Sequence, residues 1–369
     1  MKVLILSCNN GSGHNAAAQA VQECFAEHGV KCEIRDGIAF LSPTLSKMTS
    51  WLHTLVYCHA PSIFDNGWRK SEENTDLFKE NSPARRFLER GRFALGECIR
   101  SGGYDAVLCT HVFPAITLTA AKREYALPIR AGVIETDYGN TPGGADSDMD
   151  FHFLADASLI PALCAAGVPA ERIVPSGIPV KREMYSRTEK RKAREMLGLD
   201  PEKPHLLVMS GSMGCGPIPE LVERLRQTLD FPAQITVICG SNTGLKKRLR
   251  SRWGACPDIR LFDFAPDISL LYDSADLLLT KPGGLSTTEA AAKGLPMAFF
   301  DAVGGCEVNN LKYFLEKGGA VTGDGTDALC ARCRTLLCDP QSLETMSLAL
   351  RALFPRNAAE IICSTFLTP

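Results

Sequence analysis

The sequence predicts an α/β protein made of two doubly wound domains, each a parallel sheet with helices on both faces. Three observations predict it. Short apolar runs alternate with segments of helical spacing, the order that parallel strands and crossover helices produce. Glycine clusters follow several of those runs, at Gly11 and Gly13, at Gly211, Gly214 and Gly216, and at Gly283 and Gly284. The length, 369 residues, exceeds what one core usually serves.

The elements follow in order. Val3 to Leu6 reads as a strand, Ser7 to His14 as a loop, and Asn15 to Glu27 as a helix with Ala17, Ala20, Val21, Cys24 and Phe25 on one face. Lys31 to Arg35 is a strand. Residues 41 to 98 are less regular. Asp105 to Cys109 is a strand, Pro114 to Arg123 a helix, and Ile129 to Ile134 a strand. Near Gly177 to Glu183 the pattern changes, and the charged stretch Arg187 to Arg194 reads as an exposed helix. The boundary is placed there, giving domains 1–183 and 184–350.

The second half alternates again. His205 to Met209, Gln234 to Cys239, Ile259 to Phe262, Leu277 to Leu279 and Met297 to Phe300 read as strands. Helices are expected at Ile218 to Leu229, Gly244 to Trp253 and Ile268 to Ser274, and after Gly284. A last helical stretch begins at Leu343, and residues 351–369 are expected to pack back on the first domain.

Composition excludes some classes. Hydrophobic residues make up 45% and charged residues 22%, as in a soluble globular protein. The formal net charge of -2 supplies no field for nucleic acid. No run approaches the roughly 20 apolar residues that span a bilayer, so membrane contact is expected to be peripheral. The fifteen cysteines are scattered through apolar segments, and the chain opens directly on a strand, without a signal peptide. They read as buried small hydrophobes in a reducing cytoplasm.

The stretch Leu277 to Asn310 is the most informative. An apolar run ends in Thr280-Lys281-Pro282-Gly283-Gly284, and a small-residue helix with Glu289 in its first turns runs to the breaker Gly294-Leu295-Pro296. Amides at such a helix start hold phosphate, and a carboxylate just inside it suits a ribose diol. Glu289 as a mere helix-dipole complement and Lys281 as a surface charge are the plainer readings. The loop Ser210 to Pro217, with Gly211, Ser212, Met213 and Gly214, has the same strand-to-helix setting. Two such turns in one domain suit one diphosphate.

The first loop, Asn9-Asn10-Gly11-Ser12-Gly13-His14, fits neither the dinucleotide fingerprint nor the P-loop. His14 stands where strand gives way to helix. It reads equally as a general base or as a helix cap. His111 and Asp137 close two further strands, with the same ambiguity.

In 41–98, Trp51, Leu52, Leu55, Val56, Tyr57, Phe64 and Trp68 stand near Arg69 and Lys70, which suits an anionic membrane interface. Acids at 72, 73 and 76 dilute that charge, and an insertion packed on its own domain is the alternative. Cys330 and Cys333 have metal-like spacing, yet no second CxxC and no nearby histidine completes a zinc site, so no metal site is assigned.

Taken together, the N-terminal Gly-x-Gly-His loop, Thr110-His111, Thr136-Asp137-Tyr138, Gly177-Ile178-Pro179-Val180, the loop at 210 to 216, Cys239-Gly240-Ser241-Asn242 and the stretch 280 to 310 carry a resemblance. The chain resembles the monogalactosyldiacylglycerol synthases and bacterial processive diacylglycerol glucosyltransferases. It is similar, more distantly, to the lipid-linked N-acetylglucosaminyltransferase of peptidoglycan synthesis. The resemblance covers nearly the whole chain.

It implies the GT-B architecture, two Rossmann-like domains facing a central cleft. It also implies an inverting enzyme that transfers a hexose from a UDP-sugar to a membrane lipid acceptor, diacylglycerol first. His14 then takes the role of base, with Asn9, Gly13, His111 and Asp137 lining the acceptor side. Gly211 to Gly214, Lys281, Gly283 and Gly284 surround the donor diphosphate, Glu289 holds the ribose, and Glu307 and Asn310 face the sugar. On this resemblance no cofactor is required. The expected place is the inner face of the cell membrane, reached from the cytoplasm.

Two departures stand out. Asn9 occupies a position that is aspartate in the plant enzymes and asparagine in the bacterial ones. Cys306 precedes Glu307 where the family usually has glutamine, so the sugar stays open. The competing readings are N-acetylglucosamine transfer to a polyprenyl-linked acceptor, a UDP-sugar epimerase, and a UDP-sugar sensor without turnover.

Overall fold

Each half of the chain builds a six-stranded sheet in which every strand pairs in parallel. The computed structural model describes all residues except 10–11, 60–61, 64–65, 68, 71–73, 75, 266, 303 and 369, and no side chain is described at 50, 53–54 and 57–59. Phe64 and Trp68 therefore lie outside the described residues, as does the Tyr57 side chain.

The chain divides into two units, residues 1–181 with 304–309 and 356–368, and residues 182–302 with 310–355. The first unit holds strands β1 (Lys2–Ser7), β2 (Lys31–Asp36), β3 (Ala106–Cys109), β4 (Arg130–Ile134), β5 (Phe151–Phe153) and β6 (Ile173–Val174). Their order in the sheet is β2-β1-β3-β4-β5-β6. Its helices are α1 (Gly13–Glu27), α2 (Pro43–His59), α3 (Pro83–Leu88), α4 (Arg92–Gly102), α5 (Val112–Tyr125) and α6 (Ile160–Ala165).

The second unit holds β7 (His205–Met209), β8 (Gln234–Ile238), β9 (Ile259–Phe262), β10 (Leu277–Thr280), β11 (Met297–Phe299) and β12 (Ala320–Thr322), in the order β12-β11-β10-β7-β8-β9. Helices α7 (Lys190–Met196), α8 (Ile218–Thr228), α9 (Thr243–Trp253), α10 (Ile268–Ser274) and α11 (Gly284–Lys293) connect them. Then come α12 (Cys306–Glu316), α13 (Gly325–Leu337), α14 (Pro340–Leu353) and α15 (Ala358–Leu367).

The apolar runs are explained by burial on both faces. In β1, Val3 and Ile5 join Ala18, Val21 and Phe25 of α1, while Leu4 and Leu6 join Leu95 and Ile99 of α4 and Leu118 of α5. Successive side chains of a strand point to opposite faces, so both sets must be apolar. In the second unit Leu206, Val208, Leu277 and Leu279 pack against α8, α9 and α13. Cys330 and Cys333 are buried in that same core as small hydrophobes.

Three sequence expectations are corrected. The short strands β5, β6 and β12 carry too few residues for a pattern and were not expected. Arg194 does not lie on an exposed face. It is buried, paired with Asp276, and donates to the carbonyls of Ser274 (3.0 Å) and Pro201 (3.0 Å). The stretch from Leu343 stays with the second unit as α14, and it is α15 that joins the first.

Helix α15 covers α1 with Ala359, Ile362, Cys363 and Phe366. Arg130 holds its end, donating to the carbonyls of Thr365 (2.9 Å), Phe366 (3.1 Å) and Thr368 (2.6 Å) while its guanidinium lies over Phe151 and Phe366. A cation at a helix C-terminus satisfies the last carbonyls and complements the helix dipole. Arg130→Ala is expected to cost about 1.5–3 kcal/mol, the range of hydrogen bonds to charged groups. Hydrogen exchange at 358–367 should accelerate well before the β1 and β3 amides exchange.

Candidate active site

Strand order reverses once in each sheet, between β1 and β3 and again between β7 and β10. At such a reversal the two adjoining loops leave in opposite directions and open a crevice at the carboxyl ends of the strands. The loop after β1 carries His14, and the loop after β3 carries Thr110 and His111. The loops after β7 and β10 are 210–217 and 281–283.

In the first unit, His14 is the second residue of α1, two residues earlier in the helix than its sequence suggested. Its Nδ1 lies 2.7 Å from the Thr110 carbonyl and 3.2 Å from the Thr136 hydroxyl. A carbonyl only accepts, so Nδ1 carries the proton and the lone pair sits on Nε2. His111 packs its ring edge-on to His14, with centroids 4.8 Å apart. Its Nδ1 accepts from the Phe113 N–H (3.1 Å), which caps α5 and puts its proton on Nε2. His111 is thus a helix cap, and it also borders His14. One imidazole is set to accept a proton and the other to donate.

Asn9 explains its own identity. Its Nδ2 donates to Asp36 (2.9 Å), and its Oδ1 accepts from Asn15 (2.9 Å), which in turn accepts from Ser7 (2.6 Å). An aspartate at 9 would set two carboxylates against each other, whereas the amide offers a donor to one side and an acceptor to the other. Asp36 also takes the Ile38 N–H (2.9 Å) and the Ser46 hydroxyl. Sequence reading missed Asp36, although an acid closing the strand beside the switch strand is the available signal.

Glu135 was missed as well. It closes β4 in full burial, bonded by the Thr141 hydroxyl, and neighbours Thr136 and half-buried Asp137. Burial pushes its carboxyl up to about 7, against the Thr141 bond, and the Asp137 charge pushes the same way.

In the second unit, three glycines of the β7 loop have positive φ: Gly211 at 59°, Gly214 at 59° and Gly216 at 110°. A Cβ on Gly214 would lie 2.0 Å from the Cys239 carbonyl, so no other residue fits there. The β8 loop locks against it. Asn242 Nδ2 donates to the Gly214 carbonyl (2.9 Å), and the Ser241 N–H and hydroxyl donate to the Ser212 carbonyl (2.8 and 3.0 Å). Met213 is half-buried beside them. Helices α8 and α11 start at Pro217 and Gly283, neither of which caps through a side chain. A Cβ on Gly283 would meet nothing within 4 Å.

Lys281 is buried rather than a surface charge, with its Nζ 3.7 Å from Asp301. Glu289 is the sixth residue of α11, outside the first turn, so it is no dipole complement. The hydroxyl of Tyr272 donates to it (3.0 Å), and burial keeps that phenol protonated. Asn310 is fully buried and donates to the Pro282 carbonyl (2.9 Å), bracing the β10 loop. Glu307 is buried in the first turn of α12 and belongs to the first unit, while Asn310 belongs to the second. Trp51, Arg69 and Lys70 are exposed.

Comparison with known proteins agrees with this geometry. Residues 14–180 match the model of monogalactosyldiacylglycerol (MGDG) synthase, and residues 205–360 that of the glycosyltransferase family 28 C-terminal domain. The chain is 27% identical to processive diacylglycerol beta-glucosyltransferases of Bacillus cereus and Bacillus anthracis, over 99% of this chain and 93% of theirs. The chain thus joins a domain of the monogalactosyldiacylglycerol synthase type to a glycosyltransferase family 28 C-terminal domain.

The chain is thus a glycosyltransferase. Its GT-B fold is shared with MurG of Acinetobacter baumannii, at TM-score 0.70 and 17% identity over 100% of this chain and 99% of that one. UDP-GlcNAc 2-epimerase of Neisseria meningitidis follows at TM-score 0.65 and 15% identity, over 100% of both chains.

Glu135 makes stability depend on pH. Its folded pKa of about 7 stands above the unfolded value of about 4.3. Its contribution is therefore complete below about pH 4.3 and is lost as pH rises through 7. Glu135→Gln should remove a pH-dependent loss on the order of 3 kcal/mol, read as a flatter denaturation midpoint between pH 5 and 8 (roughly, from the same linkage).

Proposed function

We propose that this glycosyltransferase inverts the anomeric centre as it moves a hexose from a UDP-sugar to diacylglycerol, giving a glycosyl-diacylglycerol. The observation that carries the chemistry is the His14 tautomer, fixed by Thr110 with its lone pair on Nε2. In the proposed step, Nε2 takes the proton of the acceptor hydroxyl. The hydroxyl oxygen then bonds to the anomeric carbon from the face opposite UDP. The bond to the β-phosphate oxygen breaks, and UDP leaves with the charge. The His111 Nε2–H is suited to orient the acceptor.

Donor recognition is assigned to the second unit and to Glu307 of the first. The starts of α8 and α11, with the glycines between Gly211 and Gly284, offer amides to the diphosphate, where growing charge is best stabilised by fixed dipoles. Lys281 adds a cation, Glu289 takes the ribose, and Glu307 and Asn310 belong to sugar recognition. On this reading no cofactor is needed. The diacylglycerol acceptor is supported by the names of the Bacillus relatives, and the donor class by a structural relative, HepE of Anabaena, solved with UDP and with UDP-glucose.

The acceptor requires a membrane surface. Met48, Trp51, Leu52 and Leu55 expose an apolar stripe on α2 at helical spacing. No helix among the described residues is long and apolar enough to cross a bilayer. The stripe, with exposed Arg69 and Lys70 nearby in sequence, supports peripheral docking at an anionic inner leaflet.

Product analysis by mass spectrometry tests the reading, with diacylglycerol in anionic vesicles and UDP-glucose, UDP-galactose or UDP-N-acetylglucosamine supplied separately. One donor is expected to give a hexosyl-diacylglycerol. His14→Ala should lower kcat by about 10²–10⁴ while UDP affinity holds. Product only from UDP-N-acetylglucosamine with a polyprenyl-linked acceptor would replace diacylglycerol in the proposal. Separately, Trp51→Glu should reduce co-sedimentation with anionic vesicles and leave UDP affinity unchanged. If it does not, α2 is not the docking element.

A further inference from the structure

The far end of α1 carries a second constellation that the transfer chemistry does not use. Cys24 and His28 stand one turn apart on α1, and Glu360 and Cys363 stand one turn apart on α15. One ligand atom each from Cys24, His28 and Glu360 lie within 4.8 Å of one another. His28 Nε2 is 3.7 Å from Glu360 Oε2. The Cys363 thiol is buried in the same cluster as Cys24 and donates to the Val21 carbonyl (3.7 Å).

The backbone already orients the His28 ring. His28 Nδ1 lies 2.9 Å from the Cys24 carbonyl. That bond puts the proton on Nδ1 and the lone pair on Nε2, the arrangement in which a ligating histidine donates its other N–H to a backbone carbonyl. Cys24 is buried, while the side chains of His28 and Glu360 are 40% and 42% exposed, which leaves an entry path for an ion. Two sulfurs, one imidazole and one carboxylate make a donor set that suits tetrahedral zinc. Ligand atoms around zinc stand about 3.3–3.8 Å apart by its bond lengths, so the first three must close by roughly 1 Å and the Cys363 thiol must turn from the Val21 carbonyl to complete the set.

We propose that Cys24, His28, Glu360 and Cys363 bind one Zn²⁺ that pins the C-terminal helix to the first helix of the chain. On binding, the two thiols lose their protons to solvent and the histidine stays neutral. The site is structural. Fourteen helical residues, roughly 20 Å, separate His28 from His14, so the ion takes no part in glycosyl transfer.

The test uses the full chain, stripped of metal and kept under reductant. Cobalt titration of the wild type should give the intense visible bands of tetrahedral Co²⁺ with a thiolate charge-transfer band, saturating at a single equivalent and displaced by Zn²⁺. His28→Ala and Cys363→Ser should weaken that binding at least about tenfold. Glu360→Gln should weaken it too. A Cys330→Ser, Cys333→Ser, Cys338→Ser triple variant should bind as the wild type does, which separates this site from the other cysteine cluster. Zn²⁺ should also slow hydrogen exchange in α15 of the wild type and not of His28→Ala. Weak octahedral cobalt binding, or tetrahedral binding unchanged in His28→Ala, overturns the proposal and leaves an ordinary His28–Glu360 ion pair. His28 and Glu360 are half-exposed, so those variants fold.

Discussion

A parallel sheet directs every strand's carboxyl end to one edge, and a reversal of strand order decides which loops open there. This constraint organises the protein twice. Because β1 and β3 are neighbours, the Thr110 carbonyl comes within 2.7 Å of an imidazole that sits 96 residues away in sequence. Because β7 adjoins β10, the glycine loop after one and the Lys281 turn after the other leave adjacent strands. The tautomer of His14 is thus a consequence of strand order. Without the β1–β3 pairing, the Thr110 carbonyl would not hold the proton on Nδ1.

Electrostatics then refine what topology supplies. The first unit keeps its acids under control by different means. Asp36 gathers three neutral donors, from Asn9, Ser46 and the Ile38 amide. Glu135 sets deep burial against one hydroxyl, and burial wins, so its carboxyl titrates near neutrality, at about 7. The second unit uses backbone instead. Its loops are built by close backbone approaches, Gly214 on Cys239 and Gly240 on Ser212, that only glycine permits. For the proposed diphosphate, bare backbone would offer many weak donors at short range without bulky side chains.

How much was legible in the sequence depended on whether the signal was local. Strands such as Leu277–Thr280 and turns such as Gly294-Leu295-Pro296 declare themselves in a few residues, and so did the candidate loops. Strands of two or three residues, β6 and β12 among them, carry no periodicity and are defined only by their sheet partners. The missed polar groups share that property. Glu135 reads as an ordinary acid until burial shifts it, and Arg194 reads as a solvated charge until Asp276 meets it from a segment 82 residues away. Tyr272 gave no signal, because its role rests on Glu289 in another helix.

The pairing of His14 with His111 bears on why a histidine, rather than a carboxylate, would suit the proposed base. A carboxylate beside Asp36 would add a second negative charge to a loop that already holds one, and Asn9 shows that position filled by an amide instead. An imidazole brings a lone pair without a charge. Its edge-on neighbour brings an N–H, oriented by the opposite tautomer because Phe113 donates where Thr110 accepts. Two chemically identical rings are thereby made into an acceptor and a donor by the backbone groups each one meets, one a carbonyl after a strand and the other an amide at a helix start. A hydroxyl requires both, one to take its proton and one to hold its oxygen, and the same β3–α5 junction supplies each of the two backbone partners.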